Sequence, residues 1–379
     1  MRVLISTWAW RSHYYPLVPL TWGLLAAGHE VRVATQPALV QAVTATGAPA
    51  VAVGRDLDFT KDFAGMFGGV ADEEPGQDGM AAAVTADGGA VRYAEAVVDD
   101  LVAFGRVFRP DVLVHEPFNL AGAVAAQALG VPVVKHLWAA DFSETIPVEE
   151  AVATGDLVRR FGLDRLRTDS DLVLDPCPPA MQFPGGRSPR QPIRFVPYNG
   201  TAEVPDWLLA PPSRPRVCVT WGTLMSEMDD DRVFLAPRVA KALSELDVEV
   251  VVTTDPRAHA KFAGLPDTVH IAQKPLALHL LLPSCVAVVH QGGAGTTMTA
   301  LAAGVPQLVL PTVGDQRFNA NQLAATGAGA LGSVDKVAEQ IAGLLTDDAT
   351  SAAAAELARE NAERPTPGQI AAELPRLLA

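Results

Sequence analysis

Residues 288–306, "VVHQGGAGTTMTALAAGVP", bring together several groups able to hold an anion. An apolar run ends at His290; Gly292, Gly293, Gly295, Thr296 and Thr297 follow, and then an Ala/Leu-rich stretch that suits a helix. A strand, a glycine turn and a helix start in this order gather unpaired backbone N–H groups at the positive end of a helix dipole. That arrangement holds a phosphate or diphosphate. The glycines let the backbone approach the anion closely. The two threonine hydroxyls and His290 add side-chain donors without calling on a metal. A tight βα turn needing glycine only for packing is the plainer reading, and His290 with its two threonines weighs against it. The spacing is neither the G-K-[ST] of a P-loop nor G-x-G-x-x-G. A diphosphate held without a lysine is therefore expected.

Two flanking pieces suit the same ligand. "VTWGTLM" ends the first strand-like run of this half, and Gly222 and Thr223 offer an N–H and a hydroxyl. "GDQRFNA" places Asp315 beside Gln316, a carboxylate and an amide fit for two neighbouring sugar hydroxyls. The start of the chain reads differently. After "VLIST", residues 8–15 contain no glycine and carry His13, which argues against a phosphate in this turn. Two acids stand at later strand ends, Glu116 in "DVLVHE" and Asp141 in "HLWAADF". Taken alone, His13 also reads as a cap or core residue, and each acid as an ordinary strand-end carboxylate. The run "MDDDR" (228–232) reads as acids at a helix N-terminus rather than as metal ligands.

The elements that must position these residues alternate throughout. Short β-branched runs occur at 3–7, 30–35, 48–54, 111–116, 131–137 and 171–175, and again at 216–223, 248–255, 268–273, 286–291 and 306–311. Helical stretches separate them, with Gly28 suited to the position just past a helix end. Near-continuous apolar strands joined by helices imply parallel sheets covered on both faces, so the fold class is α/β, in two similar halves. The boundaries are read as a first domain over 1–198, a Pro/Gly/Asn-rich linker over 199–215, a second domain over 216–362, and a tail helix over 363–379 packing back on the first domain. Residues 54–92 form a Gly- and acid-rich insertion in which Phe59, Phe63, Met66 and Phe67 favour a lid or apolar ligand surface over a plain linker.

Bulk properties narrow the classes. The chain has 379 residues, 49% of them apolar, and a net charge of −14, which argues against a nucleic-acid partner. Its three cysteines are far apart and form no C-x-x-C, so they read as reduced, small hydrophobes. No basic-then-apolar leader opens the chain, and no apolar run reaches the ~18 residues of a membrane span. A soluble, cytoplasmic protein is the expectation.

The motifs together resemble the GT-B nucleotide-sugar glycosyltransferases of family 1, especially actinobacterial enzymes that glycosylate macrolide, aromatic polyketide and enediyne antibiotics. "HQGGAGT" is similar to their "HHGGAGT" phosphate motif, with Gln291 in place of the second histidine. "GDQRFNA" resembles their Asp–Gln sugar-contact segment. "RFVPYNG" with "VPDWL" resembles their hinge, and "SHYYPLVPL" their N-terminal "SHLxxLVPL". The likeness extends over the whole chain except the insertion.

The resemblance implies two Rossmann-like domains facing a central cleft, acceptor on the first and donor on the second. It implies an inverting transfer of a deoxysugar from a thymidine diphosphate (TDP) donor to a hydroxyl of an apolar, polyketide-like acceptor. The TDP-sugar is a co-substrate, and no cofactor or metal is needed. His13 then acts as the general base, oriented by Glu116 as the best-placed acid or by Asp141 as the second. Gly222, Thr223, Lys274, His290, Gly292, Gly293, Gly295, Thr296, Asp315 and Gln316 form the donor side. Phe59, Phe63, Met66, Phe67, Trp138 and Phe142 form the acceptor side. Room is left for a homodimer and for an auxiliary activator protein. Competing readings are C-glycosylation of an aromatic acceptor assisted by Asp141, a non-catalytic nucleotide-sugar-binding partner, and a nucleotide-sugar epimerase.

Overall fold

The structure, a computed structural model, describes residues 1–57, 89–145, 155–222, 225, 230–312 and 314–379. Phe59, Phe63, Met66, Phe67 and Thr223 lie outside the described residues. The chain divides into two compact units, one of residues 1–177, 183–196 and 364–379, the other of 178–182 and 197–363.

In the first unit, β1 (Arg2–Ser6), β2 (Glu30–Thr35), β3 (Ala50–Ala52), β4 (Val112–His115), β5 (Val133–His136), β6 (Leu172–Asp175) and β7 (Arg190–Pro192) form one sheet in the order β3-β2-β1-β4-β5-β6-β7. Every pairing is parallel. The apolar runs of the central strands are buried because helices cover both faces, so Val3, Leu4, Ile5, Val112, Leu113 and Val114 reach 0% exposure. The order reverses between β1 and β4. Strand ends beside such a switch point are where open α/β sheets bind ligands. Helix α1 (Arg11–Tyr14) follows β1, and α2 (Val18–Ala26) returns the chain to β2. Helix α3 (Gly89–Phe108) precedes β4, and α4 (Leu120–Leu129) follows it.

The second unit repeats the plan. Strands β8 (Arg216–Thr220), β9 (Glu249–Thr253), β10 (Val269–Ile271), β11 (Ala287–His290), β12 (Gln307–Val309) and β13 (Gly329–Leu331) are ordered β10-β9-β8-β11-β12-β13, all parallel. Its switch point lies between β8 and β11. Helix α5 (Ala294–Ala303) leaves β11, and α6 (Gly314–Ala325) leaves β12. Helix α5 stops at Gly304, whose φ of 69° takes the left-handed conformation that ends a helix at least cost.

Two segments depart from simple connectors. Residues 199–215, expected as the interdomain linker, cluster with the second unit. Trp207 and Leu208 pack on its core, and the Arg216 guanidinium lies 5.2 Å over the Trp207 ring. Asn199 Nδ2 donates to Thr299 Oγ1 at 3.2 Å. The tail helix α7 (Pro367–Leu377) belongs to the first unit and packs on α2. A side chain at Gly23 would meet the Pro367 carbonyl at 2.8 Å, so the two backbones touch there. Arg364 anchors the return by donating to the Cys177 carbonyl at 2.8 Å.

Candidate functional site

In the first unit the chemistry gathers at the carboxyl ends of β1 and β4. Their register pairs Ser6 with His115, so the residues that follow lie side by side. Glu116 is fully buried, and its Oε1 accepts the Trp8 N–H at 3.2 Å. The same oxygen lies 3.2 Å from His13 Nδ1, within ion-pair reach though not aligned as a hydrogen bond. Glu116 Oε2 is buried without a hydrogen-bond partner. A buried carboxylate oxygen without a partner is costly, and the His13 ring is the titratable neighbour beside it. Three indoles surround the His13 ring: Trp138 at 4.3 Å between centroids, Trp10 at 5.0 Å, and Trp8 stacked at 5.1 Å with 16° between planes. Trp8 stacks in turn on Tyr93 of α3, at 4.8 Å.

The expected acceptor residues Trp138 and Phe142 come together through Phe118, at 5.9 and 5.3 Å. Asp141 does not join His13. Its carboxylate is held by Lys135 at 3.3 Å and Arg190 at 3.2 Å, and it accepts from Ser143. Asp141 follows β5, one strand farther from β1 than Glu116, and the cations of β5 and β7 claim it.

The helix after β4 is capped from within the chain. Asn119 caps α4, its Oδ1 accepting the Gly122 N–H at 3.0 Å, while its Nδ2 donates to Ser6 Oγ at 3.0 Å. The first-turn N–H groups are thus partly satisfied by the chain itself. Helix α5, in the same place in the second unit, begins at Gly293 with no side-chain cap. Residues 293–296 are partly exposed, and the N–H groups of a first helical turn have no intrahelical acceptor.

Gly292 is fixed on every side. Its N–H donates to His290 Nδ1 at 3.0 Å, and its carbonyl accepts Asn319 Nδ2 at 3.0 Å. Its φ is 96°, and a Cβ there would meet the Gln316 carbonyl oxygen and Val309 Cγ1, each at 2.8 Å. The Asp–Gln segment therefore lies against the turn, as α6 brings it there. Gln316 is buried, and its Oε1 accepts the Thr312 N–H at 2.9 Å.

The expected direct donation from His290 is corrected. The ring is fully buried, with Nδ1 taken by Gly292 and Nε2 by Gln307 Oε1 at 2.9 Å. Burial pushes its pKa down to about 4, against the raising effect of the Gln307 bond, so it is neutral at pH 7. Gly292 likewise has no N–H to spare, and the available donors begin at Gly293. The Thr297 hydroxyl turns inward to the Gly293 carbonyl at 3.1 Å, which leaves Thr296 as the outward threonine of the pair. Gly222, with φ 65°, follows the neighbouring β8. A Cβ on Gly222 or Gly293 would sit 2.9 Å from Gln291 Nε2, so the Gln291 amide lies against both turns. Lys274 is placed elsewhere. It follows β10, which β9 and β8 separate from β11, and it pairs on the surface with Glu203 at 2.8 Å.

Sequence reasoning missed Trp8 and Trp10 against His13, Tyr93 and Phe118 behind the indoles, and Gln307 and Asn319 around the turn. The clustering of aromatic residues on both sides of His13 in "TWAWRSHYY" was the available signal. The acids Asp230 and Asp231 do not open a helix. They pair with Arg232 and Lys261, at 2.7 and 3.0 Å. Among the described residues no group of three or more His, Cys, Asp or Glu is placed to hold a metal, and no helix is long and apolar enough to cross a membrane.

Replacing Gly292 by alanine forces a side chain into a left-handed backbone and against two fixed neighbours. The expected cost is about 2–5 kcal/mol, spread over the turn and α6. Thermal denaturation should show the loss of stability, and a wild-type melting temperature in this variant would sink the geometry described for the turn.

Residues 22–222 match the family described as erythromycin biosynthesis protein CIII-like, N-terminal domain, and residues 237–377 match its C-terminal domain. The 10-deoxymethynolide desosaminyltransferase of Streptomyces venezuelae is 35% identical, with 100% of this chain and 97% of the relative covered. The aklavinone 7-beta-L-rhodosaminyltransferase of Streptomyces galilaeus is 37% identical, covering 100% and 96%. Spinosyn rhamnosyltransferase SpnG superposes on the chain as its thymidine diphosphate complex with a TM-score of 0.82, at 32% identity and 100% of both chains. Its complex with spinosyn aglycone gives 0.83, at the same identity and coverage. The chain belongs to the erythromycin biosynthesis protein CIII-like family and is a nucleotide-sugar-dependent glycosyltransferase of the GT-B fold.

Proposed function

We propose that the chain transfers a deoxysugar from a TDP-sugar to a hydroxyl of an apolar polyketide-like acceptor, with inversion at the anomeric carbon. The observation that carries this reading is the buried Glu116 carboxylate beside His13 Nδ1 at 3.2 Å, at the switch point of the first sheet. With Nδ1 turned to Glu116, Nε2 serves as the base. It takes the acceptor's hydroxyl proton as that oxygen attacks the anomeric carbon. The bond from that carbon to the diphosphate oxygen breaks, and TDP leaves with the electron pair. The imidazolium so formed is balanced by Glu116. Trp8, Trp10 and Trp138 shield the pair from water and give an apolar acceptor a surface to lie on.

The leaving diphosphate is held by the open first turn of α5, through the N–H groups of residues 293–296 and the Thr296 hydroxyl. Gly222 supplies the approach from β8, and Asp315 and Gln316 contact sugar hydroxyls. This donor set neutralises the leaving group's charge with backbone dipoles, so no metal is required. Calorimetry with TDP tests the point. Equal affinity with and without a chelator is expected, and binding that appears only on adding a divalent metal would overturn the helix-terminus account.

A further inference from the structure

We propose that Gln307, at the start of β12, is a positioning residue of the donor turn, acting through a fixed tautomer of His290. The inference rests on the reading of this turn as the diphosphate site. A backbone N–H can only donate, so the Gly292 bond at 3.0 Å requires a lone pair on His290 Nδ1. In the neutral ring the proton is then on Nε2, and it must find an acceptor in a fully buried place. Gln307 Oε1 is that acceptor at 2.9 Å, and Gln307 Nε2 donates to the Thr297 carbonyl at 3.2 Å, which fixes the amide's orientation. Gln307 is itself 1% exposed. One side chain thus braces both the turn, through His290 and Gly292, and the first turn of α5, through Thr297. Remove it and the ring loses the group that selects Nε2–H. The opposite tautomer would set an N–H against the Gly292 N–H and push the turn away from its shape. The motif histidine is, on this account, a pin inside the protein rather than a phosphate contact.

The test combines a spectroscopic measurement on the unaltered chain with two variants. In the wild type, imidazole 15N shifts should show His290 as the neutral Nε2–H tautomer, with its Nε2 signal unchanged at saturating TDP. The Nδ1–H tautomer, or a TDP-induced change at Nε2, would overturn the proposal. Gln307→Leu should raise the TDP dissociation constant and the donor KM about tenfold, the size expected when a buried donor loses its acceptor. The acceptor KM should hold. Gln307→Glu keeps an acceptor for Nε2–H but loses the donor to the Thr297 carbonyl, so it should keep the tautomer and recover only part of the affinity. A folded Gln307→Leu with wild-type TDP affinity overturns the proposal alone. A wild-type chain that binds no TDP overturns the donor-site reading, and this proposal with it.

Discussion

Alanine at His13 is expected to lower kcat by ~10²–10⁴ while TDP affinity stays unchanged. The size follows from the task. A positioned base contributes that much when it takes a proton in the transition state, and its removal leaves the donor turn intact. The split follows from the fold, because His13 lies in the first unit and the glycine turn in the second. The variant should fold, since the ring's partners are three indoles and a carboxylate edge rather than a dense hydrogen-bond network. Turnover near the wild-type level, with the product confirmed, would remove the base assignment and leave His13 as a wall residue.

Glu116→Gln should approach the same loss by a different route. The substitution keeps the volume and can keep the acceptor for the Trp8 N–H. It removes the charge that stabilises the imidazolium, and it can turn an NH2 toward His13 Nδ1. A histidine receiving a bond at Nδ1 carries its proton on Nε2, where a base must have a lone pair. Turning an orienting carboxylate into an amide has this effect in other base–carboxylate pairs, at a cost of about 10⁴ in kcat. The double variant with His13→Ala should add little, because the two residues act as one unit. Asp141→Asn is the control. Asp141 sits between Lys135 and Arg190, so its loss should show in thermal stability rather than in the proton step. A large kcat loss in Asp141→Asn with a mild one in Glu116→Gln would reverse the assignment and favour the C-transfer mechanism.

The choice between the two acids shows where sequence reading stops. Both acids follow apolar strands, and position at the strand end favours Glu116 over Asp141 without excluding the latter. Strand order separates them, since β4 pairs with β1 and β5 does not. The β-branched runs marked the central strands, because burial on both faces demands such runs. Strands β7, "RQP", and β13, "GAL", were missed: each is three residues long, lies at a sheet edge and lacks a β-branched residue. Asn319 and Gln307 were invisible for another reason. Each reaches the glycine motif across the chain, 27 and 17 residues away, through the packing of α6 and β12. Pro and Gly content marked 199–215 as the interdomain linker, and did not show that Trp207 and Leu208 pack on the second unit's core.

The most direct test of the central claim is the product itself. The chain is incubated with TDP-deoxysugars and hydroxylated polyketide acceptors, and the mixture is read by mass spectrometry and by NMR of the anomeric centre. The account predicts an acceptor heavier by one sugar less water, one TDP released per product, an O-glycosidic bond, and an anomeric configuration opposite to the donor's. A carbon-linked product, a retained configuration, or donor consumed with no sugar on any acceptor would contradict it.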